Sequence, residues 1–346
     1  MSRAPDGAVR VLTVTLNPTV DICLEVDELI AEGKNRARVR SVRAGGGGIN
    51  VARCIRRLGG TATALYLSGG DTGLRLDHLL ADEGMDRLRV PVGGGTREAF
   101  VVTENGTGRS YHIVAPGATI TEQETAGVLA AVRAGLPGSA ALVVTGSVPP
   151  GIPDDFTATV VRQARPGRIP VLIDVTGGQL RRLPGEDVFL IRLDRKEAAG
   201  LIGSPILSFD DARRANHQLL ESGATRHAVT TVGALGAVYS EPGVDHEISA
   251  PPLPGRARSD ACAGDSLVAA LTYRTLRGDG CLRACQFGVA AAAATVSLPG
   301  TDVFEPTTVD ELVRRVRVRS VAAGTDPAGA DRPGPDVRDV GAGLDR

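Results

Sequence analysis

Two runs of this sequence place together residue types that can do chemistry. The first is Gly45-Gly-Gly-Gly-Ile-Asn-Val-Ala-Arg-Cys-Ile-Arg-Arg-Leu-Gly-Gly60. Its four leading glycines let a ligand approach the backbone, and Ile49, Ala52, Ile55 and Leu58 then recur at helical spacing until Gly59 ends the stripe. The helix start therefore faces the glycine loop. Its free N–H groups and positive dipole end suit an anionic or hydroxyl-rich ligand, and Asn50 can both donate and accept. A flexible linker is also glycine-rich, but linkers rarely open directly into a well-patterned helix. The G-x-G-x-x-G spacing of dinucleotide sites, with an acidic residue about 20 positions on, is missing.

The second run is Asp260-Ala-Cys-Ala-Gly-Asp-Ser-Leu-Val-Ala-Ala270, a tight turn into an apolar helix. A carboxylate in a first helical turn can take a proton from an alcohol while neighbouring backbone N–H groups hold the oxygens of a phosphoryl group in transfer. Asp265 is the candidate base. Gly-Asp-Ser before a helix also reads as an ordinary N-cap, so the motif alone leaves both open.

Elements of a regular α/β chain are available to position these runs. Short β-branched segments at 9–15, 61–67, 141–145, 170–174, 188–192 and 227–232 read as core strands. Amphipathic segments at 72–83, 121–134, 153–164, 210–221, 264–277 and 281–297 read as the helices between them, around a largely parallel sheet. Two regions break the alternation, 21–43 and 98–114. In the second, Phe100-Val-Val-Thr and Tyr111-His-Ile-Val flank a polar Asn-Gly turn. Both read as hairpins of a small sheet that would cover a cleft. From 322 onward the chain is Gly-, Pro- and Asp-rich without apolar periodicity and reads as a disordered tail, and residues 1–8 read as a flexible N-terminus.

Composition narrows the ligand. With 39 Lys+Arg against 40 Asp+Glu there is no field that favours nucleic acid or an anionic membrane, and 3% aromatics without Trp gives no base-stacking platform. A small-molecule site is the expectation. Five scattered cysteines without a C-x-x-C pair read as reduced thiols rather than a zinc site. The N-terminus lacks an apolar signal core and the Ala-rich run at 289–296 is too short to span a bilayer, so the expected compartment is the cytoplasm.

Taken together and in order, the two runs resemble the two signatures of the ribokinase-like, or PfkB-type, carbohydrate kinases. The resemblance spans about residues 9–319 and extends to Thr15-Leu-Asn-Pro-Thr-Val-Asp21, Glu32-Gly-Lys-Asn-Arg36, Thr96-Arg97-Glu98, Thr145-Gly-Ser-Val-Pro-Pro-Gly151 and Thr231-Val-Gly-Ala-Leu-Gly236. It implies a three-layer α/β/α sandwich with a mainly parallel sheet, a small β-sheet lid from about 21–43 and 96–115, and a possible homodimer through that lid. The glycine run, without the lysine common in 1-phosphofructokinases and tagatose-6-phosphate kinases, looks most like the minor ATP-dependent 6-phosphofructokinase type. Fructose 6-phosphate is the first substrate so implied. The alternatives are those two kinase activities, or a catalytically weak sugar-phosphate binding protein.

Carried over residue by residue, the resemblance gives Asp265 as general base. Asp21, Gly46, Gly47, Gly48 and Asn50 would hold sugar hydroxyls, Lys34, Arg36 and Arg97 would hold the sugar phosphate, and Ser147 would line the substrate site from a loop just past a core strand. Arg192, Asp194, Thr231, Gly233, Gly236, Ala263 and Gly264 would line the ATP site, with Glu197 organising Mg²⁺ largely through water. Each has a plainer reading as turn residue, solvated charge or helix-surface carboxylate.

The departures cluster on the ATP side. Arg192-Leu-Asp-Arg-Lys-Glu197 stands where the family usually has Lys-Pro-Asn-x-x-Glu, so Asp194 puts a carboxylate where an amide is expected. Asp260-Ala-Cys-Ala-Gly-Asp265 replaces Thr-Val-Gly-Ala-Gly-Asp. Cys262 would cost about 1–2 kcal/mol if that position keeps a left-handed backbone. Asp260 adds negative charge, with Arg256 and Arg258 near enough in sequence to offset it.

Overall fold

In the computed structural model, which describes residues 10–253, 255 and 257–322, successive side chains of the first strand point to opposite sides. In β1 (Arg10–Thr15), Val11 joins one apolar layer while Leu12 and Val14 join another. This two-sided burial is what a central strand of a parallel sheet requires. The chain continues through β2 (Thr19–Val26), β3 (Arg38–Gly45), α1 (Gly47–Arg57), β4 (Thr61–Ser68), α2 (Gly70–Asp82), β5 (Asp86–Pro91), β6 (Arg97–Glu104), β7 (Ser110–Val114) and α3 (Glu122–Gly135). Then come β8 (Ala141–Thr145), α4 (Phe156–Ala164), β9 (Val171–Asp174), α5 (Gly178–Arg181), β10 (Val188–Leu193), α6 (Arg195–Ile202), α7 (Phe209–Glu221) and β11 (Thr225–Thr231). The last elements are β12 (Gly236–Glu241), β13 (Val244–Ser249), α8 (Ala263–Leu276), α9 (Cys281–Val296), α10 (Pro306–Val313) and β14 (Arg317–Ala322).

The large sheet has the order β14-β13-β12-β11-β10-β9-β8-β1-β4-β5, parallel from β11 to β5 and antiparallel at the β12–β14 edge. One face is covered by α1, α2, α8, α9 and α10 through Ile49, Ile55, Leu76, Leu271 and Leu312. The other is covered by α3, α4, α6 and α7 through Val128, Phe156, Ala198 and Leu219. The result is an α/β/α sandwich, as expected from the sequence. Three helices on the second face carry their own start signals: Thr121, Asp194 and Ser208 form capping boxes with Glu124, Glu197 and Asp211.

All six expected strands and all six expected helices coincide with elements, apart from Val9, which lies outside the described residues. The expected N-terminal and C-terminal tails also lie outside them, except Ala322, which ends β14. The small sheet has the order β3-β2-β6-β7, with β2 antiparallel to β3 and parallel to β6. Its Asp21, Cys23 and Val101 share one buried face, while the opposite face runs outward to exposed Val39 and Ile113.

The order of the large sheet fixes where a ligand can sit. After β1 the chain builds β4 and β5 on one side, then returns to lay β8 to β11 on the other. Between β1 and β8 the connections leave in opposite directions, and the carboxyl edge at such a switch point is an open crevice. Both hairpins of the small sheet spring from this same edge, after β1 and after β5.

Candidate active site

Thr15, Thr145, Asp174, Leu193 and Thr231 end five parallel strands at the crevice. Around the first two, the glycine run packs too closely for side chains. A Cβ on Gly45 would fall on the Asp21 carboxylate, one on Gly47 would lie 2.7 Å from Thr145 Oγ1, and one on Gly48 2.8 Å from the Val14 carbonyl. Gly46 also needs φ of 113°, which only glycine adopts without strain. This packing aims the start of α1 at the crevice and puts Asn50 on its inner wall.

Asp265 reaches the same place from the other end of the chain. It lies in the first turn of α8, and Asn50 Nδ2 donates to its Oδ2 at 2.9 Å. Helices α1, α8 and α9 are fastened there by Ser266 Oγ, which accepts from Thr295 Oγ1 at 2.8 Å and lies 3.7 Å from Cys54 Sγ. Asp265 keeps one side open to the cleft, yet the surrounding protein desolvates it and pushes its pKa to about 7. The Asn50 hydrogen bond and Arg192 work against that rise, and the Asp174 carboxylate adds to it. Asp21, buried on β2, is pushed to about 6 by burial, against the pull of Arg53 and Arg97.

Arg192 lies beneath the turn that leads to Asp265. Its Nη1 donates to Asp174 Oδ1 at 3.1 Å, its Nη2 donates to Thr231 Oγ1 at 2.9 Å, and a Cβ on Gly264 would come within 2.8 Å of Nη1. Ala263 and Gly264 open α8, whose first turn has no side-chain cap; the Ala263 N–H donates to the Asp260 carbonyl at 3.3 Å. Cys262 does take the left-handed conformation, at φ 60°, and its Sγ turns to the Thr301 carbonyl at 3.9 Å.

At the other end of the crevice, Arg97 Nη2 donates to the Asn17 carbonyl at 2.9 Å and to Ser147 Oγ at 3.1 Å, and Nη1 donates to the Ala115 carbonyl at 2.8 Å. Burial lowers its pKa, its Nε has no partner, and among the described residues no carboxylate forms an ion pair with it. A cation held this way fits an anionic ligand group. These residues wall a cavity of about 540 Å³ that extends to Asp154, Gly177 and Gln179.

Asp194 and Glu197 form a capping box at the start of α6: Glu197 N donates to Asp194 Oδ1 at 2.8 Å, and Asp194 N donates to Glu197 Oε2 at 2.7 Å. Burial and the nearby Asp174 carboxylate raise the Glu197 pKa against the pull of Arg192. Among the described residues no three acidic, His or Cys side chains converge into a cage. With Oε2 taken by the cap, Glu197 offers Oε1, a single carboxylate oxygen of the kind that suits a largely hydrated Mg²⁺.

Asp260 is directed outward, 93% exposed, with its carboxylate 3.9 Å from His112 on β7. Arg258 is exposed and makes no ion pair with it among the described residues, and Arg256 lies outside them. Gly233 and Gly236 follow β11 with positive φ. Lys34 and Arg36 stand apart, exposed in the connection from β2 to β3, with no partner among the described residues. Asn17, Asp174 and Arg53 are among the residues in these contacts that the sequence does not single out. Asn17 sits inside the quoted 15–21 run and Asp174 ends an expected strand, whereas Arg53 looks like any cation on a helix.

A model described as pfkB family carbohydrate kinase matches residues 14–308. The chain belongs to this family. PfkB kinases are phosphotransferases that act on an alcohol group of a carbohydrate, and among known relatives the chain is 35% identical over 296 residues to the ATP-dependent 6-phosphofructokinase isozyme 2 of Mycobacterium tuberculosis, covering 86% of each. It is 34% identical to the Escherichia coli protein of that name, covering 85% of this chain and 94% of the relative. The solved structure of Escherichia coli phosphofructokinase-2 in complex with fructose-6-phosphate superimposes with a TM-score of 0.80 at 31% identity, over 88% of this chain and 98% of that one. The ribokinase-like sandwich with its separate small sheet is thus common to this PfkB chain and its structural relatives.

Proposed function

We propose that this PfkB kinase transfers the γ-phosphoryl group of ATP to fructose 6-phosphate, with Asp265 as general base. The observation that carries the reading is the Asn50–Asp265 pair, set where the glycine-cradled start of α1 meets the first turn of α8. Asp265 Oδ2 is taken by Asn50, which leaves Oδ1 to accept the proton of the sugar hydroxyl. As the sugar oxygen bonds to the γ-phosphorus, the bond from phosphorus to the bridging oxygen breaks and ADP leaves. The Gly264 N–H, next to Ala263 at the start of α8, holds the transferring oxygens, and Arg192, steadied by Asp174 and Thr231, lies below it.

Asp21, the Gly46–Gly48 backbone and Asn50 bind the sugar hydroxyls; Arg97 and Ser147 bind its phosphate. Lys34 and Arg36 join them when the small sheet closes as a lid, which excludes water from the γ-phosphate. Gly233 and Gly236 admit the adenosine beside Thr231, and Asp194 holds the start of α6 so that Glu197 faces the nucleotide phosphates. Bound Mg²⁺ supplies charge neutralisation across those phosphates, and Glu197 would hold it through water. The apolar outer face around Val39, Tyr111 and Ile113 supports a homodimer formed lid to lid. Scattered free thiols fit a reducing, cytoplasmic setting, and among the described residues no helix is long and apolar enough to cross a membrane.

The test is a panel of fructose 6-phosphate, fructose 1-phosphate and tagatose 6-phosphate, assayed by ADP release with ATP or GTP and with Mg²⁺ or Mn²⁺. Fructose 6-phosphate with MgATP should give the highest kcat/KM. A higher value for another sugar phosphate reassigns the substrate. Binding without nucleotide turnover under every condition overturns the kinase mechanism.

A further inference from the structure

We propose that Arg53 is a positioning residue that locks the Asn50 side-chain amide so that its NH2 group, and not its oxygen, faces Asp265. The proposal rests on the reading of Asp265 as base. Arg53 Nη1 donates to Asn50 Oδ1 at 2.7 Å, and Asn50 Nδ2 donates to Asp265 Oδ2 at 2.9 Å. A primary amide has two orientations of nearly equal shape. Turning this one over would set its NH2 against a guanidinium and its oxygen against a carboxylate, so two hydrogen bonds would become two repulsions.

Arg53 can do this because it is itself immobile. Its Nε and Nη2 donate to the two Glu83 oxygens at 2.8 and 2.9 Å, and Nη2 also donates to the Ala44 carbonyl at 2.7 Å. Glu83 caps the end of α2, and Ala44 lies near the end of β3, so the guanidinium ties α1 to two other elements. Its planar fork serves all three partners, which an ammonium on a flexible stem would not do equally. The chain Glu83, Arg53, Asn50, Asp265 therefore carries orientation from the far side of α1 to the base.

The consequence is read at Asp265, which is faced by Asn50 and Cys54 from α1, Asp21 from β2, Asp174 from β9, Arg192 from β10, and Cys262 from its own turn. The Asn50 hydrogen bond favours the ionised base. When the amide is free to turn, Asp265 loses that donor and holds its proton to higher pH.

The experiment compares pH profiles of kcat/KM for fructose 6-phosphate in the full chain, for wild type, Arg53→Met, Arg53→Lys, Glu83→Gln, Asn50→Ala and the Arg53→Met/Asn50→Ala double variant. Arg53→Met should move the acid limb up by about one pH unit, the scale of one hydrogen bond to a charged group. At pH above the new limb its kcat should return to within about threefold of wild type, a recovery that general loosening of the fold would not give. Arg53→Lys and Glu83→Gln should move the limb the same way by less. In the Asn50→Ala background the Arg53 change should add no shift, since the amide it orients is gone. An unmoved limb, or the same shift with and without Asn50, overturns the proposal. If Arg53→Met does not fold, unmoved limbs in both Arg53→Lys and Glu83→Gln do so. Asp265→Asn separates the two readings: full turnover in it sinks the base, whereas an inactive Asp265→Asn beside unmoved Arg53 limbs sinks only the role of Arg53.

Discussion

Asn50 and Asp265 are 215 residues apart in sequence and 2.9 Å apart across the cleft. Each is held by a helix start, and neither helix reaches the other without the tight packing of α1, α8 and α9. If Asp265 is the base, Asp265→Asn should lower kcat by about 10²–10⁴-fold, the usual worth of general base catalysis. Fructose 6-phosphate affinity should stay within about threefold, because the new side-chain amide can turn its oxygen to accept from Asn50. Equilibrium binding alongside initial rates checks both halves, and undiminished turnover would remove Asp265 from the mechanism.

The same carboxyl sets a pH dependence. Its pKa in the folded chain is raised to about 7, and the base works only when ionised. Wild-type kcat/KM should therefore climb through about pH 7 and level off above it, and a rate profile spanning roughly two units either side measures this. A profile flat through that window would show that another group takes the proton.

Stability should move the opposite way with pH. The folded chain holds the Asp265 proton up to about pH 7, whereas the unfolded chain releases it near 3.8. Between those values the folded state binds more protons, so this group's contribution to stability declines as pH rises and is lowest above 7. Asp265→Asn, which never carries the buried charge, should raise Tm relative to wild type more at about pH 8 than at about pH 4.5. Equal differences at the two pH values would mean that the carboxyl is better solvated than its surroundings indicate.

How much of this is legible in sequence depends on where partners lie. Strands such as Ala141–Thr145 are short, apolar up to the closing Thr145 and buried throughout, as a doubly covered strand requires. β13 escapes a sequence reading because Asp245, His246 and Glu247 are buried within it, made tolerable by His217, Ser320 and Arg319 from distant segments. β5 escapes it because, at a sheet edge, its alternation runs over only two aliphatic residues, Leu88 and Val90, too short to stand out. In the site, motifs point to Asp265 and Asn50, whereas Arg53 gains its meaning from Glu83, 30 residues away at the end of another helix. Asp194 is legible as a charge but not as a cap, since the capping box depends on where α6 begins.

Asp194→Asn tests that last point. Asn and Asp are equivalent N-caps to within a few tenths of a kcal/mol, so the variant should keep its Tm within about 2 °C while Asp194→Ala loses about 1 kcal/mol. Thermal unfolding of both variants measures this, and a large loss in the Asn variant would mean that the charge, not the cap, secures α6.

Arg97 offers the sharpest test of the sugar-phosphate end. Its guanidinium is desolvated, fixed by Asn17, Ser147 and Ala115, and has no carboxylate partner among the described residues. Its charge is thus free to act on a ligand. If that ligand is the substrate's phosphate, Arg97→Met removes an interaction made equally in the ground and transition states. KM for fructose 6-phosphate should rise about 10–100-fold, the range of one or two charged hydrogen bonds, with kcat within about threefold. Unphosphorylated fructose should be used no worse by the variant than by wild type. If both sugars lost activity alike, Arg97 would be supporting the loops it touches and the phosphate would have to be held elsewhere.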